Sequence, residues 1–167
     1  MLVAYASKHG STREVAEAVA GALRRSGHDV DLRPAREVDG VDGYDAVVLG
    51  APLYVGRWHR EATAFLKRHR RALAAKPVAI FALGPLKDTE EERADARAQL
   101  DRALEKVPEV EPLAVIVFGG AIEPATLRFP FNRMPRTDIR DWDAIAAWAE
   151  GLPVELALHP RPARVAG

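Results

Sequence analysis

The sequence predicts an α/β domain in which a five-stranded parallel sheet carries helices on both faces. Two observations predict this class. Short apolar runs alternate along the chain with longer amphipathic segments, which is the pattern of a parallel sheet covered on both sides. The length of 167 residues fits one domain, which buries about 70% of the surface of its unfolded chain. The predicted strands lie at residues 2–6, 29–33, 46–50, 78–83 and 113–118.

Four amphipathic segments predict the helices. In the first, a Val-Val-Leu series recurs every four residues from Val15, and Gly27 is the stop signal. The third begins at Thr89, whose hydroxyl is suited to cap the helix with Glu92 three residues on. The predicted helices lie at residues 12–26, 60–74, 89–107 and 141–150.

The last predicted helix carries apolar residues at helical spacing, including Ile145 and Ala149. Trp142 and Trp148 are predicted to be core residues of this helix. The Gly-Leu-Pro sequence at 151–153 is expected to end it, because glycine and proline both weaken a helix.

A connection without periodicity spans residues 119–140 and contains three prolines. Loops of this length in a compact domain are usually functional or mobile. We predict one domain over residues 1–152 and a partly flexible C-terminal extension over 153–167, frayed from His159 onward.

The composition excludes several classes of function. With 24 basic and 24 acidic residues, the chain has no net charge that would favour nucleic acid, so no nucleic-acid partner is expected. The absence of cysteine excludes disulfides, thiolate nucleophiles and thiolate metal sites, so redox chemistry requires a bound cofactor. No apolar run approaches the roughly 18 residues of a membrane span. We therefore expect a cytoplasmic protein without an integral membrane segment.

A hydroxyl-rich loop follows the first predicted strand and opens the first helix. Its hydroxyl side chains, backbone N–H groups and the positive end of the helix dipole favour a bound anion without a metal. Neither the Walker pattern nor the G-x-G-x-x-G dinucleotide pattern is present, so the loop predicts a phosphomonoester site. The predicted phosphate-binding residues are Ser7, Lys8, His9, Gly10, Ser11 and Thr12.

Two further loops at the same sheet edge suit a planar ring. The segment after the third predicted strand combines Tyr54 and Trp58 with Gly50 and Gly56, which are expected to permit tight turns. Small residues follow the fourth predicted strand. The predicted ring-binding residues are Pro52, Leu53, Tyr54, Val55, Gly56, Trp58, Leu83, Gly84 and Pro85. A phosphate and a flat ring together indicate a mononucleotide.

The phosphate-binding loop at 7–12 resembles the T-x-T-G-x-T loop of flavodoxins, with His9 replacing the usual second hydroxyl. The chain is also similar to the menaquinone-dependent protoporphyrinogen IX dehydrogenase group over most of its length. That similarity is carried by residues 8–13, by the Gly-Ala, Gly56 and Trp-His positions of 50–59, and by 119–122 followed by 141–142.

This resemblance implies a flavodoxin-like three-layer sandwich with strand order 2-1-3-4-5 and FMN as cofactor. The flavin then carries the electron or hydride transfer, and no side chain is assigned a catalytic role. The implied function is an FMN-dependent oxidoreductase that resembles protoporphyrinogen IX dehydrogenase. The partner is a small-molecule redox substrate or a redox protein, and a homodimer is among the open oligomeric states.

Several residues have simpler structural interpretations. One hydroxyl of the loop at 7–12 could merely cap the first helix. Either Tyr54 or Trp58 could stack on the ring, and His59 is interpreted as part of the N-terminal turn of its helix rather than as a proton donor. The basic segment at 60–71 is interpreted as a solvated face, with docking of an acidic partner or a porphyrin carboxylate as the functional alternative.

A non-enzymatic electron carrier like a true flavodoxin is the alternative function. Such carriers usually present an acidic face around the flavin, whereas this chain is neutral and has a basic segment beside the ring-binding loop. A flavin-free receiver domain is disfavoured, because the third predicted strand ends in Val48-Leu49-Gly50 without a phosphorylatable aspartate.

Overall fold

The computed structural model describes residues 1–158. Five parallel strands form the main sheet, and three short strands extend the framework at the edge where the parallel strands end. The strands are β1 Leu2–Tyr5, β2 Asp31–Pro34, β3 Val47–Tyr54, β4 Arg57–Trp58, β5 Val78–Leu83, β6 Ala114–Phe118, β7 Ala121–Ile122 and β8 Thr137–Asp138. The helices are α1 Ser11–Arg25, α2 Arg60–Leu73, α3 Glu90–Leu104 and α4 Trp142–Glu155.

The parallel strands follow the order β2-β1-β3-β5-β6. Numbered as five parallel strands, this is the predicted order 2-1-3-4-5. The first strand of the chain, β1, lies between β2 and β3, so the winding direction reverses between β1 and β3. The site predicted at the carboxyl ends of these two strands therefore lies at the switch point of the sheet.

Alternate residues of each strand face opposite helix layers. Leu2 and Ala4 of β1 belong to the core beneath α2 and α3, whereas Val3 belongs to the core beneath α1 and α4. Both faces of the sheet are thus buried, as the continuous apolar runs of its strands require. The three-layer α/β sandwich is confirmed.

The third strand extends four residues beyond its predicted end. It does not end at Gly50, because Ala51 and Pro52 stay in parallel register with Ala82 and Leu83 of β5. Its last two residues then pair antiparallel with β4, which forms a hairpin in the segment that was predicted to be a loop.

The last helix also continues beyond its predicted end. It passes through Gly151 and Pro153 to Glu155, where the predicted Gly-Leu-Pro stop was wrong. Leu152 is fully buried and Leu156 is 1% exposed, so packing against the sheet holds the final turn despite the proline. The predicted fraying from His159 concerns residues outside those described.

Two tryptophans of the last helix have different environments. Trp148 packs its ring edge-on against Phe81 and Phe118, which confirms it as a core residue. Trp142 is 43% exposed and lies beneath the guanidinium of Arg140, so its prediction as a core residue was wrong. It is the first residue of α4, and Arg140 of the preceding segment covers its ring.

Over residues 1–158, no helix combines the length and the apolar character that crossing a membrane requires.

Candidate cofactor site

The loop after β1 and the hairpin after β3 meet at the switch point of the sheet. The rings of His9 and Tyr54 lie 6.1 Å apart, with an interplanar angle of 78°. Tyr54 is also 6.5 Å from His59, which precedes α2. The residues predicted to bind a phosphate and those predicted to bind a ring are therefore neighbours.

The loop between β1 and α1 leaves the helix N-terminus open. Gly10 is the N-cap residue, at φ 92°, a left-handed conformation that favours glycine. Ser7 Oγ accepts a hydrogen bond from the backbone N–H of Gly10 at 3.0 Å, and no side chain caps α1. The interpretation that one of these hydroxyls serves as an ordinary helix cap was wrong, so the donors of the first turn face an open position.

Thr12 carries an unsatisfied buried hydroxyl. Its side chain is 1% exposed, and Oγ1 has no hydrogen-bond partner, the one such buried side-chain atom within residues 1–158. A buried hydroxyl without a partner costs about 1–3 kcal/mol, so its presence calls for an explanation. An anion at the open N-terminus of α1 could accept its hydrogen bond, and the residues present thus fit a phosphate.

The two basic residues of this loop, Lys8 and His9, differ in exposure. Lys8 is exposed, whereas His9 is half-buried. Burial, and secondarily the charge of Lys8, lowers the pKa of His9 below its ordinary 6.5. A neutral His9 adds a hydrogen-bonding group beside Tyr54 without adding a second charge.

The hairpin of β3 and β4 presents Tyr54 at the rim of the site. Tyr54 pairs with Arg57 across a two-residue turn whose residues, Val55 and Gly56, both have positive φ angles of 46° and 74°. Such a turn matches the twist of a hairpin, although a β-branched residue in this conformation is strained. The side chain of Val55 is 99% exposed, and Tyr54 is 39% exposed.

Trp58 occupies the core rather than the site. It is 4% exposed, and its indole N–H donates to the carbonyl oxygen of Ala51 at 3.2 Å. The geometry therefore leaves Tyr54 as the aromatic ring that a ligand could contact. His59 caps α2, since its Nδ1 accepts from the N–H of Glu61 at 3.3 Å, as the sequence indicated. Burial lowers the pKa of His59, which keeps this acceptor nitrogen unprotonated.

The third predicted loop is tightly packed around Gly84. A Cβ at Gly84 would stand 3.0 Å from Leu53 Cδ1 and 3.1 Å from Val117 Cγ1. Pro85 accepts a hydrogen bond from the N–H of Gly120 at 2.8 Å. Leu53, Gly84 and Pro85 are half-buried and can line a ligand, whereas Pro52 and Leu83 are buried within their strands.

Arg140 was missed as a site residue. It lies in the connection at 119–140, for which no site residue was predicted, yet its guanidinium hydrogen-bonds the first turn of α1. Ser11 and Glu14 lie 129 and 126 residues from Arg140 in the chain, so no local sequence pattern predicts these contacts.

Two basic residues of α2, Arg68 and Arg70, contact other parts of the chain. Arg68 donates to the carbonyl oxygens of Ala35 and Val38 and to Nε2 of His69, and so fixes the segment after β2. Arg70 pairs with Glu109. The solvated-face interpretation agrees with the exposure of every arginine and lysine of α2, whereas His69 is buried.

A cavity of about 240 Å³ lies directly beside the phosphate-binding loop. Tyr5, Ser7 and Gly10 line one side of it, and Arg13 and Arg36 contribute cationic side chains. A larger cavity of about 410 Å³ lies at the amino ends of the strands, between Met1 and Tyr44. Ligands of open parallel sheets bind beyond the carboxyl ends, so the smaller cavity is the one relevant to this site.

Comparison with known proteins finds relatives of this chain by sequence and by fold. A family model described as the flavodoxin domain matches residues 2–136. Protoporphyrinogen IX dehydrogenase (quinone) from Escherichia coli strain K12 is 26% identical over 134 residues, which span 79% of this chain and 71% of that protein.

Solved flavodoxins share the fold at low sequence identity. Oxidised flavodoxin 1 from Bacillus cereus has a TM-score of 0.58 and 14% identity, with 90% of this chain and 95% of that chain covered. Two-electron reduced flavodoxin from Megasphaera elsdenii has a TM-score of 0.59 and 19% identity, with coverages of 91% and 98%.

Proposed function

The chain belongs to the flavodoxin domain family of FMN-binding redox proteins, and from this premise we propose that it is an FMN-dependent oxidoreductase acting on a porphyrinogen-like substrate. The observation that carries the proposal is the unsatisfied hydroxyl of Thr12 at an uncapped helix N-terminus, in the loop whose His9 contacts Tyr54. The loop at 7–12 thus supplies a phosphate site, and the neighbouring β3–β4 hairpin supplies a ring site.

The proposed phosphate site is the loop at 7–12. Thr12 Oγ1, the open backbone donors of the first turn of α1 and the half-buried Ser11 side chain provide hydrogen bonds to a phosphate. The left-handed conformation of Gly10 turns the chain into the helix without a side chain above the open donors.

The proposed ring site lies between Tyr54 on one side and the Leu53, Gly84 and Pro85 surface on the other. Tyr54 keeps 39% of its surface exposed, and its ring is held by the hairpin and by the neighbouring His9 and His59 rings. The buried Trp58 stabilises the hairpin through the hydrogen bond that its indole N–H donates to the carbonyl oxygen of Ala51.

When bound, FMN supplies the electron or hydride transfer. The chain orients the cofactor: its loop at 7–12 holds the phosphate end, and Tyr54 limits access of water to one face of the ring. Because burial keeps the pKa of both His9 and His59 below 6.5, these side chains are neutral near pH 7. They therefore offer hydrogen bonds rather than charge beside the ring.

Cationic side chains around Tyr54 favour an anionic substrate. Lys8, Arg57 and Arg60 flank the ring site, and none of them forms an ion pair within the described part of the chain. Porphyrinogens carry carboxylate groups that such cations attract. The Escherichia coli relative is named for oxidation of protoporphyrinogen IX with a quinone, and we propose the same reaction class here.

The alternative is a non-enzymatic electron carrier, which the likeness to solved flavodoxins favours at the level of fold. The two functions differ in what reduces the flavin. An enzyme of the proposed class is reduced directly by the porphyrinogen, whereas a carrier requires a reductase.

The first experiment records the visible spectrum of the purified full chain before and after incubation with FMN. We expect the absorbance of a bound oxidised flavin, and its absence after reconstitution would overturn the FMN proposal. The second mixes the FMN-loaded protein anaerobically with protoporphyrinogen. Loss of flavin absorbance, and its recovery on addition of a quinone, supports the enzyme. Reduction by a flavodoxin reductase but not by protoporphyrinogen establishes the carrier.

A further inference from the structure

Arg140 joins the end of β8 to the first turn of α1. Its Nη1 donates to the carbonyl oxygen of Ser11 at 3.3 Å and to Oε2 of Glu14 at 2.6 Å. Its Nε and Nη2 donate to the carboxylate of Asp138 at 2.9 and 2.6 Å. The guanidinium lies 4.8 Å from the ring centroid of Trp142, and the side chain is only 9% exposed.

The guanidinium of Arg140 is held more firmly than that of an arginine in an exposed surface ion pair. A bidentate bond to Asp138, a second carboxylate and a backbone acceptor occupy the guanidinium on three sides. These hydrogen bonds raise the pKa of Arg140 and lower that of Asp138, because each charge stabilises the other. Most exposed pairs contribute little, whereas charge-assisted, geometrically fixed pairs position their elements.

Glu14 creates an electrostatic conflict at the proposed phosphate site. It lies in the first turn of α1, two residues after Thr12, where its carboxylate stabilises the helix dipole. The same carboxylate would repel a phosphate dianion placed at that helix end. Arg140 neutralises Glu14 through the 2.6 Å bond and so removes the repulsion.

We propose that Arg140 is a positioning residue for the phosphate of FMN: it neutralises Glu14 and fixes the first turn of α1 against β8. This inference rests on the proposed function, since it concerns the same phosphate site. It assigns Arg140 a role that depends on the phosphate and not on the flavin ring.

The test compares two ligands that differ only in the phosphate group. Dissociation constants of the full chain for FMN and for riboflavin are measured by quenching of flavin fluorescence. Arg140→Met keeps an apolar stem on Trp142 but removes the charge. We expect FMN binding to weaken on the order of tenfold, and riboflavin binding to change by less than about twofold.

A second variant reports on the carboxylate. Glu14→Gln in the Arg140→Met background is expected to restore most of the lost FMN affinity, because it removes the uncompensated charge. Glu14→Gln alone is expected to leave FMN affinity equal or tighter. This single variant keeps Arg140 and so tests the proposal even where Arg140→Met fails to fold. Weaker FMN binding in Glu14→Gln would overturn the proposal.

Arg136→Met is the matched control. Arg136 belongs to the same connection and pairs with Glu123, but its side chain is 78% exposed. We expect unchanged affinity for both ligands. Equal losses of FMN and riboflavin affinity in Arg140→Met would reduce Arg140 to general support of the fold. Failure of the unmodified chain to bind either flavin would instead overturn the proposed function.

Discussion

The ring of Phe81 fills the space in which any side chain at Gly50 would stand. A Cβ built on Gly50 would lie 1.9 Å from Phe81 Cζ and 2.3 Å from both Cε atoms. Gly50 lies within β3 and in register with Phe81 of β5, so its glycine is required by space. The expectation that Gly50 serves a tight turn was wrong for this reason.

Gly50→Ala is expected to lower the free energy of unfolding by about 3 kcal/mol, because a buried aromatic ring must move to admit the methyl group. Urea unfolding measures the change. Gly40→Ala is the matched control, since a Cβ there meets nothing within 4 Å, and its effect should stay within about 0.5 kcal/mol. Phe81→Leu in the Gly50→Ala background should recover part of the loss, and strictly additive losses would contradict the packing explanation.

Thr12→Val should change stability and flavin binding in opposite directions. Removal of an unsatisfied buried hydroxyl without loss of volume is expected to raise the free energy of unfolding of the flavin-free chain by about 1 kcal/mol. FMN affinity should fall at least about tenfold, since one hydrogen bond to a charged group is lost. Denaturant unfolding and fluorescence titration provide the two readings.

Ser26→Ala is the control for this prediction. The hydroxyl of Ser26 already donates to the carbonyl oxygen of Ala22 at 3.1 Å. Its removal should cost a fraction of a kcal/mol, about 0.5, and leave FMN binding unchanged. A loss of stability in Thr12→Val would show that the hydroxyl has a partner in the flavin-free protein.

Substitution of Tyr54 should affect flavin affinity, whereas substitution of Trp58 should affect stability. Tyr54→Ala is expected to weaken flavin affinity about tenfold, because a stacked aromatic ring contributes roughly 0.5–1.5 kcal/mol beyond its buried area. Tyr54→Phe should bind normally. Flavin fluorescence and thermal unfolding are measured together. An unchanged flavin affinity in Tyr54→Ala would show that the flavin ring does not bind at this hairpin.

Trp58→Phe should behave in the opposite way. It leaves the carbonyl oxygen of Ala51 without its indole donor, which is expected to cost about 1 kcal/mol of stability. Flavin affinity should change by less than about twofold, because Trp58 is 4% exposed. A large loss of affinity at unchanged stability would place Trp58 in the ring site after all.

Stability should fall as pH falls below about 6.5, in part through His69. Burial and the charge of Arg68 lower the pKa of His69 in the folded chain. The unfolded chain therefore binds more protons between the folded pKa and about 6.5, and stability present above that range is lost as the pH falls through it.

His69→Gln should make this pH dependence shallower. Glutamine retains an acceptor for the Nε–H of Arg68, which donates to His69 Nε2 at 3.1 Å, but it does not titrate. The free energy of unfolding is compared at about pH 7.5 and about pH 5.5, above and below the ordinary histidine pKa. An identical slope in the variant would remove His69 from the set of groups that produce the dependence.

Periodicity predicted the parallel strands and helices because both faces of the sheet are buried. The β3–β4 hairpin was missed, since Gly50 and Pro52 resemble loop residues. The turn residues Val55 and Gly56 are also not one of the pairs, such as Asn-Gly or Gly-Gly, that signal a two-residue hairpin. The end of α4 was also missed, because burial of Leu156 outweighs the local preference of Pro153.

Long-range contacts set the limit of prediction at the site. β7 and β8 are two-residue strands that pair across a separation of more than ten residues, without a periodic signal in either. Arg140 joins the site through Ser11 and Glu14, which only the folded topology brings near. The loop at 7–12 was accessible to prediction because strand, hydroxyls, glycine and helix follow one another directly in the chain.

The hairpin that carries Tyr54 has a consequence for the thermodynamics of ring binding. Its two strands are paired and its turn is fixed at Val55 and Gly56, so the backbone of Tyr54 is confined before a flavin ring binds. A preorganised surface loses little conformational entropy on association, and binding of the ring should therefore order almost no additional backbone. Affinity for the flavin then depends on the quality of the contacts rather than on the cost of folding a loop around it.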